Sequence, residues 1–163
     1  MKKFEILQAK LLTEETIKKQ ISEWRSDGKK IVFTNGCFDI IHRGHIDYLS
    51  KAADEGKILI IGLNTDSSVR KLKGPKRPIN DELSRALILG SFFFVDAIIL
   101  FNEETPFNLI NTIKPDVLIK GSDYQIEEIV GYDILKSYGG IVKTISFLDG
   151  FSTSAIENKI KNQ

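Results

Sequence analysis

The chain contains two histidines, and both fall in one tetrapeptide, His42-Arg43-Gly44-His45. A spacing of three puts both imidazoles on one face of a helical turn. They end the segment Asn35-Gly36-Cys37-Phe38-Asp39-Ile40-Ile41-His42-Arg43-Gly44-His45, which follows the apolar run Ile31-Val32-Phe33. A loop leading from a strand into a helix suits an anion, because free backbone N–H groups and the helix dipole both point at it. Gly36 allows a tight turn, and Gly44 lets a ligand come close to the backbone. Two imidazoles there suit a polyphosphate, through hydrogen bonds or through charge that stabilises developing negative charge. Two other readings compete. The histidines could be satisfied polar residues, or Asp39, His42 and His45, again three apart, could hold a metal. The pairing of both histidines in one glycine-flanked loop weighs against the first, and the lack of a cysteine or second histidine cluster weighs against the second.

Further segments carry chemistry of the same kind. Arg70-Lys71-Leu72-Lys73-Gly74-Pro75-Lys76-Arg77-Pro78 holds five cations within eight positions. Alone it reads as a solvated basic loop, but Gly74, Pro75 and Pro78 give it shape, and a shaped basic loop can close over a triphosphate. Pro115-Asp116-Val117-Leu118-Ile119-Lys120-Gly121-Ser122-Asp123-Tyr124 places a lysine at a strand's carboxyl end, where it meets a ligand or simply solvent. In Gly150-Phe151-Ser152-Thr153-Ser154 the hydroxyls cap a helix or hold a phosphate. Asn64-Thr65-Asp66 reads as a helix cap, with Asp66 in a structural role or in contact with a ligand. Arg85 stands behind the basic loop, and the bland expectation for it is pairing with a carboxylate of its own helix such as Asp81 or Glu82. Cys37 is expected to face the core or the loop interior and not to act as a nucleophile.

The elements that must position these residues follow from apolar periodicity. A helix runs from a Thr13 cap to Gly28, with Ile17, Ile21 and Trp24 docking it. Helices are expected over 44–55 (Ile46, Leu49, Ala52 and Ala53 on one face), 80–92, 105–113 and from 152 onward. Strands are expected at 31–33, 57–63, 95–101, 117–119 and 141–147. Strands separated by helices make βαβ units, hence an α/β, Rossmann-like, three-layer α/β/α domain with a five-stranded, mostly parallel sheet. Ligands bind such sheets at the strands' carboxyl ends, where the polar segments above all fall. No internal repeat, linker or low-complexity segment interrupts the pattern.

Composition narrows the function classes. The 163 residues suit one domain, and 42% hydrophobic with 28% charged residues is globular composition. A net charge of +1 gives no global basic surface for nucleic acid. One cysteine excludes an intramolecular disulfide and a multi-cysteine zinc site. No apolar run is long enough for a membrane span or a signal peptide, so the expected setting is the reducing cytoplasm, without membrane partners.

Gly36-Cys37-Phe38-Asp39 followed by His42-Arg43-Gly44-His45 resembles the signature of the nucleotidyltransferase (cytidylyltransferase-like) superfamily, Gly-x-Phe-Asp and His-x-Gly-His. The resemblance runs from about Lys30 to Ile160. Residues 1–29 lie outside the motifs and read as an N-terminal helical extension to a nucleotidyltransferase domain over 30–163. Lys-Gly-Pro-x-Arg-Pro-x-Asn at 73–80 and Lys-Gly-x-Asp-Tyr at 120–124 look like the bacterial heptose-phosphate adenylyltransferase subgroup. The resemblance implies transfer of AMP from ATP, with Mg2+, to D-glycero-β-D-manno-heptose 1-phosphate, giving ADP-heptose and pyrophosphate. It implies catalytic roles for His42, His45, Lys73 and Lys120. It also implies nucleotide binding by Asn35, Gly36, Cys37, Phe38, Asp39, Gly44, Lys71, Gly121, Asp123, Ser152, Thr153 and Ser154. Asp39 would orient the loop or a magnesium-bound water, and no dedicated metal-ligand cluster is expected. A homodimer follows by analogy alone. Phe147 and Phe151 depart from the pattern, standing where relatives carry cations. Two alternatives stay open: a cytidylyltransferase for glycerol 3-phosphate or another phosphorylated alcohol, and a non-catalytic nucleotide-binding module.

Overall fold

Six strands order themselves as β1-β4-β3-β2-β5-β6 in a computed structural model that describes residues 2–123 and 125–162. Tyr124, quoted in the Lys120 motif, lies outside the described residues. The strands are β1 (Leu11–Leu12), β2 (Ile31–Gly36), β3 (Ile58–Asn64), β4 (Ala97–Phe101), β5 (Val117–Gly121) and β6 (Ile141–Ile145). Every pairing is parallel. The expected five-stranded, mostly parallel sheet is therefore corrected to six strands, all parallel. The missed strand, β1, has two residues, too few to show a period; it pairs with β4 at the edge, Leu11 opposite Ile98.

The helices are α1 (Lys3–Gln8), α2 (Glu14–Ser26), α3 (Arg43–Ala53), α4 (Asp66–Lys73), α5 (Glu82–Gly90), α6 (Phe107–Ile113), α7 (Tyr132–Tyr138) and α8 (Thr153–Lys161). Among the described residues no helix is long and apolar enough to cross a membrane. The layers follow from side-chain alternation along buried strands. Ile58 and Ile60 of β3 face a core with Ile17 and Trp24 of α2, Ile110 of α6 and Leu135 of α7. Leu59, Ile61 and Leu63 face the opposite core with Leu49 of α3 and Leu89 of α5. Residues 1–29 thus supply an edge strand and, through Ile17, Ile21 and Trp24, part of the first core.

Local chemistry sets the element ends. Thr13 caps α2 by accepting from Thr16 N, and Gly28 follows the helix at φ +67°. Thr65 caps α4 and Asp81 caps α5, each accepting from the backbone N–H three residues on. The basic stretch from Arg70 is not all loop: Arg70 to Lys73 form the last turn of α4, where cations suit the dipole, and the loop begins at Gly74. On α3 the buried face is Tyr48, Leu49 and Ala52; Ile46, expected on it, sits just outside the stripe and is 43% exposed. β6 stops at Ile145, so Phe147 belongs to the turn leading to α8.

The chain order reverses between β2 and β5: β3 and β4 extend the sheet on one side of β2, β5 and β6 on the other. That is the switch point where an open parallel sheet leaves a crevice at its carboxyl edge.

Candidate active site

At that crevice Asn35 and Lys120 are the penultimate residues of β2 and β5, and the lysine Nζ donates to Asn35 Oδ1. A cavity of about 350 Å³ opens on one side of this pair, lined among others by Gly36, Cys37, His45, Lys73, Gly121 and Asp123. A second, of about 250 Å³, opens on the other side and is bounded by Asn64, Leu72, Glu104, Thr105 and Glu128. Asn35 and Lys120 line both. A third, of about 500 Å³, adjoins the first and is walled by His42, Gly44, His45 and Lys73 on one side and 147–154 on the other.

The two imidazoles are built as the N-terminus of α3. His42 is its N-cap, and its Nδ1 accepts from Gly44 N at 3.1 Å. Nδ1 is then unprotonated, and Nε2 carries the ring's N–H donor. His45 stacks on His42, ring centroids 3.9 Å apart, and meets Phe38 edge-on. Burial lowers the His42 pKa below its ordinary value. Burial, then the charges of His42 and Lys73, takes His45 down to about 4. At pH 7 both rings are neutral, and His45 Nδ1 is buried with no partner. In this arrangement His42 accepts through Nδ1, and neither ring donates a hydrogen bond to the described residues.

The loop before α3 is held in a strained turn. Phe38 adopts φ +44°, rare for an aromatic residue, with its ring folded back over Gly36. A Cβ at Gly36 would sit 2.9 Å from that ring. Asp39 fixes the turn from beneath. Its carboxylate accepts from Arg77 Nε (2.7 Å), Ile79 N and Asn80 N (both 2.9 Å), and its carbonyl accepts from Asn80 Nδ2. Burial pushes this carboxyl up, but the N–H groups of Asn80 and Ile79 and the Arg77 guanidinium outweigh it and hold it below the ordinary aspartate value. Asp39 lines the cavity yet spends both oxygens on the 77–80 segment. Among the described residues no group of three or more His, Cys, Asp or Glu is placed to hold a metal ion.

Arg85 corrects the helix-pairing expectation. It is fully buried and donates to Asp66 Oδ1 (2.8 Å), Cys37 O (2.7 Å) and Asn80 O (3.0 Å). It binds the loop before α3 to α4, while Asp81 is occupied in capping α5. The structural role expected for Asp66 is this ion pair. Cys37, expected to face the core or the loop interior, is half-buried and lines the cavity beside Asn64, and burial raises its thiol above the ordinary value.

Lys73 reaches both the first and third cavities, but Lys71 is exposed and lines none of them. Two residues along a helix turn a side chain to the far face. Burial lowers the Lys120 ammonium to about 8, although Asp123 favours its charge. Gly121 leaves room for Phe147, whose ring would lie 2.3 Å from a Cβ there and which packs against Tyr48 at 5.6 Å. Ser152 caps α8, accepting from Ala155 N at 3.0 Å, and Thr153 and Ser154 line the third cavity. The two sites that lack a family cation are therefore an aromatic wall at Phe147 and a ring at Phe151 that carries Arg43 stacked 5.4 Å above it.

Sequence reasoning missed two residues here. Tyr48 lies one helical turn beyond His45, a spacing that gave a usable signal, and its hydroxyl pairs with Thr34 at 2.8 Å. Arg77 is 13% exposed and turned inward, which nothing in a run of five cations distinguishes.

Comparison with known proteins agrees with this geometry. The Cytidylyltransferase-like family model matches residues 33–159. The chain is 53% identical over 154 residues to the bifunctional protein HldE of Wolinella succinogenes, covering 94% of this chain and 32% of that one. It is 54% identical over 136 residues to HldE of Geobacter metallireducens, covering 83% and 28%. It thus spans about a third of the length of these curated relatives. The crystal structure of the lipopolysaccharide core biosynthesis protein from Thermoplasma volcanium matches with a TM-score of 0.61 at 30% identity, over 74% of this chain and 98% of that one. A pantoate-beta-alanine ligase from Francisella tularensis shares the fold, with a TM-score of 0.57 at 17% identity, over 94% and 78% of the two chains. With its signature motifs, its switch-point crevice and a family model covering most of its length, the chain belongs to the cytidylyltransferase-like family.

Proposed function

We propose that this chain transfers AMP from ATP to a sugar 1-phosphate, D-glycero-β-D-manno-heptose 1-phosphate, giving ADP-heptose and pyrophosphate. The observation that carries the reading is the Asn35–Lys120 junction between two cavities at the switch point: one lined by His45 and Lys73, the other by a mixed wall in which Asn64, Glu104, Thr105 and Glu128 are the polar members. The likeness to HldE over nearly the whole chain supports it.

The polyphosphate lies along the N-terminus of α3. His42 and His45 donate to the α- and β-phosphates; Lys73 and the Ser152–Ser154 turn surround the β- and γ-phosphates. Asn35, Gly36, Cys37, Phe38, Gly44, Gly121 and Asp123 form the surrounding wall, Asp39 holds that wall in shape, and Lys71 adds charge from outside it. Magnesium brought with ATP would supply charge neutralisation at the phosphates. Lys120 touches the acceptor phosphate and the α-phosphate together. The acceptor's hydroxyls occupy the second cavity, with Asn64, Glu104, Thr105 and Glu128.

An oxygen of the acceptor phosphate attacks the α-phosphorus, one P–O bond forms, and the bond to the β-phosphate oxygen breaks. The acceptor is already ionised at pH 7, so no general base is needed. The chain's work is in-line positioning and preorganised donors. ATP as donor fits a cytoplasmic reaction. The test is pyrophosphate release with heptose 1-phosphate and Mg2+, comparing ATP with CTP. Release with ATP and not CTP is expected. Release with CTP alone would overturn the donor assignment, and release with neither would overturn the acceptor.

A further inference from the structure

Arg77 is the hub of a polar chain that the reaction described above does not use. Its Nε donates to the buried Asp39, and its Nη1 donates to Glu157 Oε1 on α8. Its Nη2 is buried with no partner. Asp39 in turn sits in the loop that carries His42 and His45, three residues before His42. One guanidinium therefore joins the phosphate-type loop to the C-terminal helix.

That helix has little else to hold it. None of its residues is buried. Among the described residues, the Arg77–Glu157 pair is the one side-chain hydrogen bond or ion pair from α8 to the rest of the protein. Yet the first turn of α8, with its Ser152 cap, is the wall of the third cavity facing the imidazoles. With none of its side chains fully buried, that wall depends on its polar tie. The tie is partly shielded from water, since Arg77 is 13% and Glu157 29% exposed, and the other arm of the guanidinium is anchored on the buried Asp39.

We propose that Arg77 is a positioning residue: through Glu157 it seats α8 against the polyphosphate cavity, and through Asp39 it registers that seat to the imidazole loop. This rests on the reading that the cavity holds the phosphates of ATP. It assigns the guanidinium no contact with the reacting atoms. Its effect should fall on nucleotide binding, while the chemical step keeps its donors.

Glu157→Gln is the clean perturbation, since it leaves Arg77–Asp39 intact and removes no buried group. The expected result is faster amide hydrogen exchange across 153–161, a KM for MgATP raised about tenfold, and kcat within about twofold. Arg77→Lys, whose single ammonium does not span both carboxylates, should reproduce the KM shift and also lower the melting temperature. Unchanged exchange across α8 in Glu157→Gln would overturn the tie. Faster exchange with unchanged MgATP affinity would overturn its role in nucleotide binding. A wild-type chain that binds no MgATP would instead refute the ATP reading, and exchange would still decide whether Glu157 seats α8.

Discussion

Replacing Lys120 with methionine separates charge from shape at the junction of the two cavities. Burial lowers this ammonium from 10.5 to about 8, so it is charged at pH 7 and discharges well before an ordinary lysine. If the charge bridges two phosphates, kcat/KM falls on the alkaline side with a midpoint near 8, and at pH 9 about a tenth of the plateau remains. The substrate phosphates titrate near pH 6 and do not produce that limb. Lys120→Met keeps the stem and loses the charge, so activity at pH 7 should drop about 10²–10³-fold and the alkaline limb should vanish. Stability moves the other way. Between about 8 and 10.5 the unfolded chain binds more protons than the folded one, so wild-type stability rises across that window. Below it the full penalty applies, about 3 kcal/mol at most, offset by about 1 kcal/mol from the Asn35 hydrogen bond. Lys120→Met should therefore melt a few degrees higher at pH 7, and the advantage should shrink toward pH 10.5. The assays are pyrophosphate release from pH 6.5 to 9.5 and thermal melts at both ends of the window. A variant within threefold of wild type, or one that keeps the alkaline limb, refutes the bridging role.

Three shorter predictions test the surrounding structure. Gly121→Ala places a Cβ 2.3 Å from the Phe147 ring, so the ring must leave the cavity wall; substrate KM should rise, and adding Phe147→Leu should recover part of the loss. Arg85→Met strips three acceptors of their buried donor and leaves Asp66 unpaired, costing about 3–5 kcal/mol; a thermal melt lowered by less than a few degrees would show the loops are held otherwise. His45→Ala should cost at least about 10²-fold in turnover while the protein still folds, and near-normal turnover would remove His45 from the site.

Much of this was legible in the residues, for physical reasons. β2, β3 and β5 are buried on both faces, so their apolar runs stand out against polar neighbours. The His42–His45 spacing was legible because a helical turn maps three residues onto one face. What escaped depended on tertiary partners. β1 exists because β4 is beside it, and α7 is a seven-residue helix whose single buried side chain, Leu135, gives no period. Arg85 looked like a partner for Asp81 or Glu82, because local pairing is all that sequence offers; its actual acceptors are 5, 19 and 48 residues away. The separation of Lys73 from Lys71 appears only once α4 is known to run through both.

The protonation state of His45 ties the site's geometry to its chemistry. Two charged imidazoles stacked 3.9 Å apart beside Lys73 would repel one another in a partly buried crevice, and the fold avoids that by keeping His45 down to about 4. Burial favours the neutral form of both rings, which are stacked on one another in the site. A polyphosphate changes the balance: it brings negative charge to the same wall and supplies acceptors for ring nitrogens such as the unpartnered His45 Nδ1. Opposite charge at that distance raises an imidazole pKa by about 1–3. By reciprocity, a ligand that raises the pKa binds more tightly with falling pH, in the range between the two values. The expected outcome is an imidazole resonance of His45 that titrates near 4 in the free protein and moves up by at least about one on addition of a non-hydrolysable ATP analogue with Mg2+. Proton uptake on binding should be measurable at pH 5, where the free ring is mostly neutral. A titration that does not move when the analogue binds would mean the phosphates do not reach His45, and the donors for the α-phosphate would have to be sought elsewhere on the wall.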